Sequence, residues 1–284
     1  YGTNNVAVDN IEGFLEVSPG CFVTNQHEMV QSLNRTKVVH MCSTALAYDL
    51  ETVRSIKRRG DKILYEYIDE IHPDISGTQI PRHVIKRHLA LLSDSSTACV
   101  ATADKLLKDV SALRQQNYAL VTNGVEYEHF VRAREGLQVP AVMQRLKARN
   151  KPIVGYFGAL AKWFDYDLIR KLAEARPGYE IVLLGPDYDG SAKGARLEKY
   201  KNVTMLGPIQ YRQLPEYAQC FDVSTVPFVV NEITESTSPI KLFEYMAIGK
   251  PIVTSNLPEC RKYQSCLIGK NVPEFIAQID RASR

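Results

Sequence analysis

Short apolar runs alternate with longer segments of helical periodicity along most of this 284-residue chain. The segment 165–176 shows the helical pattern, with four apolar residues on one stripe and Asp165 placed to cap its start. Runs that are apolar throughout and alternate with helices are typical of parallel strands covered on both faces. The pattern therefore predicts an α/β protein with strands at 38–42, 63–68, 99–103, 118–122, 152–157, 180–184, 203–206, 222–226 and 251–254.

The length corresponds to about two domains of ordinary size. Residues 132–151 are charged, contain Gly136 and Pro140, and precede a fresh series of strands and helices. We therefore predict an N-terminal domain over 1–148 and a C-terminal domain over 149–284. A doubly wound domain usually opens with a strand and a glycine-bearing turn. No such unit is evident at the start of the chain, so we expect the first domain to be partial.

Composition excludes several classes of protein. A net charge of +3 is too small to favour a nucleic-acid partner, and no apolar run approaches the roughly 18 residues of a membrane span. The six cysteines form no CxxC pair, and Cys42, Cys99 and Cys220 resemble core residues of a protein in a reducing compartment. The histidines form no HExxH pattern. We expect a cytoplasmic protein that needs neither a metal nor a bound cofactor and binds no nucleic acid.

In parallel sheets, ligands bind beyond the carboxyl ends of the strands, at helix N-termini. The first candidate loop, 155–160, contains Gly158, which would let a ligand approach the backbone. The alternative is a plain strand-to-helix turn. The sequence contains neither GxGxxG nor GxxxxGK[ST], so a dinucleotide fingerprint and a P-loop are both excluded.

The second candidate loop, 236–251, contains a predicted helix. Ser238 before Pro239 is an N-cap followed by the first helical residue, and Gly249 is a C-cap. Lys241 lies in the first turn, where the helix dipole disfavours a cation, and Glu244 follows three residues later. Free backbone N–H groups, the dipole and a lysine together suit a diphosphate. The alternative is a surface ion pair between Lys241 and Glu244.

Two further loops carry weaker signals. In 206–211, the backbone at Pro208 and Ile209 is placed to contact a nucleobase edge, whereas Tyr211 is more simply explained as a surface tyrosine at a Gly-Pro turn. The strand at 63–68 carries Glu66 and is followed by Asp69. Carboxylates at the end of a parallel strand suit a hydroxyl-rich ligand or a general base, so both are candidate catalytic residues. Helix capping or solvent exposure explains them equally well.

Several motifs occur in an order and spacing that resemble a known family. They are Val-Thr-Asn-Gly-Val-Glu at 121–126, the loop 155–160 with Trp-Phe-Asp at 163–165, Leu-Leu-Gly-Pro at 183–186, Leu-Gly-Pro at 206–208, the stretch 221–228, Ser-Pro-Ile-Lys-Leu-Phe-Glu-Tyr at 238–245 and Gly-Lys-Pro at 249–251. The second half of the chain resembles the C-terminal domain of GT-B glycosyltransferases, close to family 4.

The resemblance implies two Rossmann-like, doubly wound parallel-sheet domains facing a cleft, with the first one partial here. It implies that the second domain holds a nucleotide-sugar, with Glu244 on the ribose hydroxyls and Lys162 in place of the family's Arg/Lys pair. The helix start would receive the diphosphate through Ser238, Pro239, Ile240 and Lys241. Family members usually need no metal and retain the anomeric configuration. A departure occurs at Ser236, where many members carry a first glutamate that contacts the donor sugar; Glu235 is one position off, so the sugar stays open.

The resemblance therefore predicts a hexosyltransferase-type enzyme of cell-surface polysaccharide synthesis. It would move a sugar from a nucleotide-diphosphate-sugar donor to a glycan or lipid-linked acceptor, in the cytoplasm or peripherally at the inner face of the membrane. Two alternatives remain open. A nucleotide-sugar 2-epimerase shares the fold, and a degenerate transferase subunit would bind without catalysis.

Overall fold

The computed structural model describes residues 15–18, 21–23, 39–43, 50–76 and 79–284. The strands are β1 (Leu15–Ser18), β2 (Cys21–Val23), β3 (Val39–Ser43), β4 (Lys62–Tyr67), β5 (Ala98–Ala101), β6 (Tyr118–Leu120), β7 (Ile153–Phe157), β8 (Glu180–Leu184), β9 (Val203–Gly207), β10 (Val223–Val226), β11 (Ile252–Ser255) and β12 (Cys266–Gly269). The α-helices are α1 (Leu50–Arg58), α2 (Pro73–Ser76), α3 (Arg82–Ser93), α4 (Asp104–Leu113), α5 (Tyr127–Val131), α6 (Ala141–Lys147), α7 (Tyr166–Ala175), α8 (Ser191–Ala195), α9 (Leu214–Ala218), α10 (Ile240–Ile248) and α11 (Val272–Ala282).

The described residues divide into two compact units. The first holds the described residues up to Ile68 together with Pro81–Thr102 and Leu106–Val121. The second holds Asp69–Ile80, Ala103–Lys105 and Thr122–Arg284.

The first unit contains a parallel sheet in the order β3-β4-β5-β6, and β1 and β2 form a separate antiparallel pair. Alternate residues of β4 are buried, which places Tyr65 and Tyr67 on the inner face. The Tyr65 hydroxyl lies 2.7 Å from Nδ1 of His88 on α3, and that histidine is buried. Arg114 is also buried and donates from Nε to the Leu92 carbonyl at 2.6 Å, which satisfies a backbone group near the end of α3.

The second unit contains a six-stranded parallel sheet in the order β12-β11-β10-β7-β8-β9. Every residue of β7, β8, β10 and β11 is buried, as expected for strands covered on both faces. The chain winds outward from β7 to β9, then returns to place β10 on the other side of β7. The switch point between β7 and β10 is where an open sheet of this kind binds ligands.

The structure confirms the α/β class. It also confirms all nine predicted strands, whose ends differ from the predicted ends by at most two residues. The predicted helix at 165–176 is α7, and the Asp165 side chain accepts a hydrogen bond from Leu168 N at 2.8 Å. Cys99 and Cys220 are buried as expected, whereas the side chain of Cys42 lies outside the described residues. Strands β1, β2 and β12 were not predicted.

The observed division differs from the sequence-based boundary near residue 148. Residues 122–148 belong to the second unit, where Phe130, Met143 and Leu146 are buried in its core. The charge that marked this stretch as a linker is on the exposed face of α6, which carries Arg145 and Lys147. A charged surface helix and a linker are hard to distinguish by composition alone.

Candidate functional site

The loops after β7 and β8 are joined at the carboxyl edge of the second sheet. Gly158 N donates to Leu184 O at 2.8 Å, and Leu160 N donates to Pro186 O at 2.9 Å. Gly185 has φ +147°, and a Cβ added there would lie 1.8 Å from the Gly158 carbonyl oxygen. Only glycine permits this approach, so the loop at Gly158 has a defined conformation beside the switch point.

Helix α10 begins beside this loop, one residue later than the sequence predicts. Pro239 is the N-cap residue in an extended conformation, and no side chain caps the helix. The prediction that Ser238 is the N-cap is therefore wrong. Its Oγ is buried with no hydrogen-bond partner, while its carbonyl accepts from Asn123 Nδ2 at 2.6 Å. A buried hydroxyl and free N–H groups therefore meet at the start of the helix.

Lys241 and Glu244 face each other on the first turns of α10. Their Nζ and Oε2 atoms are 3.0 Å apart, but the direction of approach is not that of a hydrogen bond, and Oε2 lacks a hydrogen-bond partner. The Glu244 side chain is 1% exposed, so this is not a surface ion pair. Burial raises the pKa of Glu244, and the charge of Lys241 opposes that shift. Lys241 also lies 5.3 Å from the centre of the Phe157 ring at the end of β7.

Two tyrosines attach these elements to each other, and the sequence analysis did not identify either one. Phe157 N donates to the Tyr245 hydroxyl at 2.9 Å, which ties the end of β7 to α10. The Tyr156 hydroxyl donates to Ala159 O at 2.9 Å and lies under Gly158. Burial raises the pKa of both tyrosines, so both stay neutral. Both tyrosines lie in mostly apolar segments, so the sequence pattern predicted core packing and gave no sign of their hydrogen bonds.

The loop after β9 is built differently from the sequence expectation. Tyr211 is not a free surface tyrosine, because its ring stacks on His129 with centroids 4.7 Å apart, and His129 Nε2 donates to the Tyr211 carbonyl at 3.0 Å. Pro208 is exposed and Ile209 half-buried in this loop. Lys162 is exposed in the loop after β7, and its backbone N donates to Asp189 Oδ2 at 3.0 Å. Base contacts by Pro208 and Ile209 and phosphate contact by Lys162 remain predictions.

The two candidate catalytic carboxylates, Glu66 and Asp69, belong to different units. Glu66 is part of β4 in the first unit, and burial raises its pKa. Asp69 follows β4, belongs to the second unit, and has its pKa raised by burial to about 6. A carboxyl group with such a pKa exchanges protons near neutral pH, which suits a general base.

The described ranges hold neither a cluster of metal ligands nor a helix that could span a membrane. Nowhere in 50–76 or 79–284 do three metal-ligating side chains of the His, Cys, Asp or Glu type come together. No helix within the described part of the chain is both long and apolar enough to cross a membrane.

Known proteins resemble this chain in sequence family and in fold. The family model for group 1 glycosyl transferases matches residues 151–284. The resemblance of the second half of the chain to glycosyltransferases is thereby confirmed. The matched residues include β7, α10 and both joined loops, whereas Asn123 and His129 precede them.

Comparisons that cover most of the chain support the GT-B fold. The putative teichuronic acid biosynthesis glycosyltransferase TuaH of Bacillus subtilis is 27% identical over 235 residues, covering 78% of this chain and 58% of TuaH. Anabaena HepE with UDP-glucose superposes with a TM-score of 0.60 at 16% identity, covering 80% of this chain and 64% of HepE. The E. coli trehalose-6-phosphate structure with UDP-2-fluoro glucose superposes with a TM-score of 0.64 at 16% identity. The match covers 90% of this chain and 67% of the E. coli chain. The chain thus spans less than two thirds of the length of TuaH and of HepE.

Proposed function

We propose that this chain is part of a nucleotide-sugar-dependent glycosyltransferase that acts in cell-surface polysaccharide synthesis. The observation that carries the proposal is the pair of buried polar atoms without hydrogen-bond partners at the start of α10, Ser238 Oγ and Glu244 Oε2. Buried polar groups are nearly always satisfied, so two such atoms beside free helix N–H groups indicate a place for a ligand. The family match and the TuaH relationship support the choice of reaction and process.

Each group of the donor has a partner of suitable chemistry. The diphosphate would accept hydrogen bonds from the Ser238 hydroxyl and from the first N–H groups of α10, with Lys241 supplying positive charge. The ribose hydroxyls would donate to Glu244 Oε2, which lies 3.0 Å from Lys241 Nζ but accepts no well-directed hydrogen bond in the protein. Because Lys241 already neutralises charge, we propose binding without a divalent metal. HepE and the E. coli protein were solved with UDP-sugars, so UDP is the first nucleotide to test.

The acceptor would be a glycan or a lipid-linked glycan, with transfer retaining the anomeric configuration. The acceptor oxygen forms the new glycosidic bond while the bond from the sugar to the diphosphate breaks. Asp69, with its pKa of about 6, is the candidate to take the proton of the acceptor hydroxyl.

One helix supports peripheral association with a membrane. On α3, Ile85 is 41% and Leu89 51% exposed, and Arg82 and Lys86 lie on the same face. The helix contains no acidic residue. Apolar side chains flanked by cations suit the surface of an anionic bilayer. Sedimentation with phosphatidylglycerol vesicles and with neutral phosphatidylcholine vesicles tests this, and equal recovery in both pellets would contradict it.

A thermal-shift panel of UDP-, GDP-, ADP- and TDP-sugars tests donor binding. A ligand at 100 times its Kd contributes about 2.7 kcal/mol, which should raise Tm by roughly 5–10 °C. If none of the four raises Tm, the proposal fails. Incubation with the best donor separates the alternatives, because a transferase yields a glycoside or free sugar, an epimerase yields an epimeric nucleotide-sugar, and a binding subunit yields no product.

Substitution of Lys241 tests the phosphate site. Lys241→Ala should weaken UDP binding by roughly 1.5–3 kcal/mol, the size of a charged hydrogen bond. Lys250→Ala is the matched control, because Lys250 follows the other end of α10. Calorimetry with and without chelator measures both effects. Equal affinities of the two variants would remove Lys241 from the site, and loss of wild-type UDP binding in chelator would contradict the metal-independent mode.

A further inference from the structure

The segment between β10 and α10 is a loop with its own internal hydrogen bonds. We call residues 229–238 the donor loop, because it ends at Ser238. Asn231 Oδ1 accepts from the backbone N of Ile233 at 3.1 Å and of Thr234 at 3.0 Å. The Thr234 hydroxyl donates to Val229 O at 2.5 Å. These bonds shape the loop but do not by themselves hold it in place on the unit.

Two charged side chains distant in sequence hold this loop from outside. The Ser236 hydroxyl lies 3.1 Å from Glu70 Oε2, and Ser236 is 1% exposed. Lys105 Nζ donates to Glu232 O at 2.5 Å and lies 4.0 Å from the same oxygen of Glu70. We call Glu70, Lys105 and Ser236 the loop anchor. All three belong to the second unit.

The anchor is itself attached to a fixed part of this unit. Asp104, next to Lys105, donates its backbone N–H to Glu259 Oε1 at 3.0 Å. Lys262 Nζ lies 2.8 Å from both the Asp104 and the Glu259 carboxylates. Glu259 is buried, and its turn follows β11 of the central sheet. The donor loop is thus connected through Lys105 to a turn that the sheet supports.

From these contacts we infer that Glu70 and Lys105 are positioning residues for nucleotide-sugar binding. Ser236 is two residues before Ser238, whose hydroxyl is buried without a hydrogen-bond partner just before α10. A loop that must be ordered before it binds loses affinity in proportion to the fraction of time it is disordered. The loop anchor raises donor affinity by keeping Ser238 and the start of α10 in their binding arrangement. The inference rests on the proposed function, and neither residue need touch the donor.

The experiment uses the whole chain and three variants, Glu70→Ala, Lys105→Met and Ser236→Ala. UDP is the probe, and calorimetry gives its affinity. Each variant should bind UDP roughly three- to tenfold more weakly, the effect of one lost polar contact. The double variant Glu70→Ala/Ser236→Ala should lose less than the sum of the two single losses, because both substitutions break the contact between Ser236 and Glu70. Lys108→Met is the control, since Lys108 is exposed on the same helix as Lys105.

Amide hydrogen exchange provides the second readout. Exchange in 229–238 should accelerate in the three variants while the amides of β7 keep their protection. The inference is overturned if Glu70→Ala keeps both the UDP affinity and the donor-loop exchange rates of the wild type. This holds even if the variant is less stable than the wild type. If the wild-type chain fails to bind UDP, the UDP donor proposal fails, and exchange in the donor loop alone then decides whether the anchor exists.

Discussion

Glu244 and Lys241 place a buried carboxylate next to an ammonium group on the first turns of α10. A carboxylate that is 1% exposed is costly to ionise, and Lys241 Nζ, 3.0 Å away, does not make a well-directed hydrogen bond to Oε2. A core selected for stability alone would carry an apolar residue here. The arrangement is understandable if a ligand completes it, because hydroxyl donors would then satisfy the free oxygen.

Replacing this carboxylate should separate stability from binding. The folded pKa of Glu244 is raised above its unfolded value, so the native state favours the protonated form, and stability falls as the pH rises from the unfolded toward the folded pKa. Glu244→Gln should therefore be as stable as the wild type or more stable at pH 7, yet bind UDP more weakly. Urea unfolding and calorimetry measure the two effects.

A second buried glutamate offers a matched control for this experiment. Glu180 is also 1% exposed, but it pairs with Arg149 at 3.0 Å and Lys151 at 3.7 Å at the other end of the sheet. Glu180→Gln should lower stability and leave UDP affinity unchanged. If Glu244→Gln behaves in the same way, Glu244 is a structural residue.

His88 makes the first unit sensitive to acid. Burial, with the nearby Arg87 charge, lowers its pKa to about 4. The unfolded chain then takes up the proton first, so stability is lost as the pH falls from about 6.5 to about 4, by up to about 3 kcal/mol. Urea unfolding of the wild type and His88→Gln at pH 7 and pH 5 tests this, because the variant should lose less stability. Asp69, whose pKa is raised to about 6, gives stability that increases as the pH falls. The wild type and the variant share this residue, so its effect cancels in the comparison.

At the scale of elements, the site depends on how closely two loops meet. Gly158 and Gly185 bring the ends of β7 and β8 into direct backbone contact, and Tyr245 ties β7 to α10. At the other end of α10, Gly249 has φ +76° and ends the helix, and Arg134 Nη2 donates to Met246 O at 3.1 Å. Because Asn123 Nδ2 also donates to Ser238 O at 2.6 Å just before the helix starts, residues from elsewhere in the chain contact both ends of α10.

Gly185→Ala should separate the joined loops. Its Cβ would lie 1.8 Å from the Gly158 carbonyl oxygen, and its φ of +147° is strained for any other residue. We expect a loss of roughly 2–6 kcal/mol of stability together with UDP binding. Gly190→Ala is the control, because Gly190 has φ +81° but nothing within 4 Å of an added Cβ. That variant should lose only about 1–2 kcal/mol and still bind UDP, as unfolding curves and calorimetry would show. Similar losses in both variants would contradict the close-approach argument.

At the scale of the whole molecule, the second unit begins well before its first sheet strand. Helices α5 and α6 precede β7, and Phe130, Met143 and Leu146 fill part of its core. Removing large buried side chains costs about 2–5 kcal/mol each, which in sum approaches the roughly 5–15 kcal/mol total of a domain.

Two fragments test where the second unit begins. Residues 122–284 should unfold cooperatively in urea, whereas residues 149–284, which lack the three core side chains, should show no cooperative transition. Both fragments lack Glu70 and Lys105 of the loop anchor, so the comparison isolates the helices. If the two fragments unfold with equal cooperativity, the result would support the predicted domain boundary near residue 148.

Local signals in the sequence determined much of this architecture. The nine predicted strands, the Asp165 cap and the Gly249 C-cap depend on neighbours within a few residues, and the sequence displays these directly. The ordered motifs also indicated the fold and the region around α10. The sequence also brought Lys241 and Glu244 together, since residues three apart share a helix face.

Only the tertiary structure decided the environment of those residues. Glu244 is buried and Ser238 is freed from capping because other elements pack around the start of α10. Ser236 meets Glu70 across 166 residues of sequence, and residues 122–148 join the second core through side chains that alternate with surface charge. Burial and long-range pairing depend on which surfaces meet after the chain has folded, and periodicity carries no information about that choice.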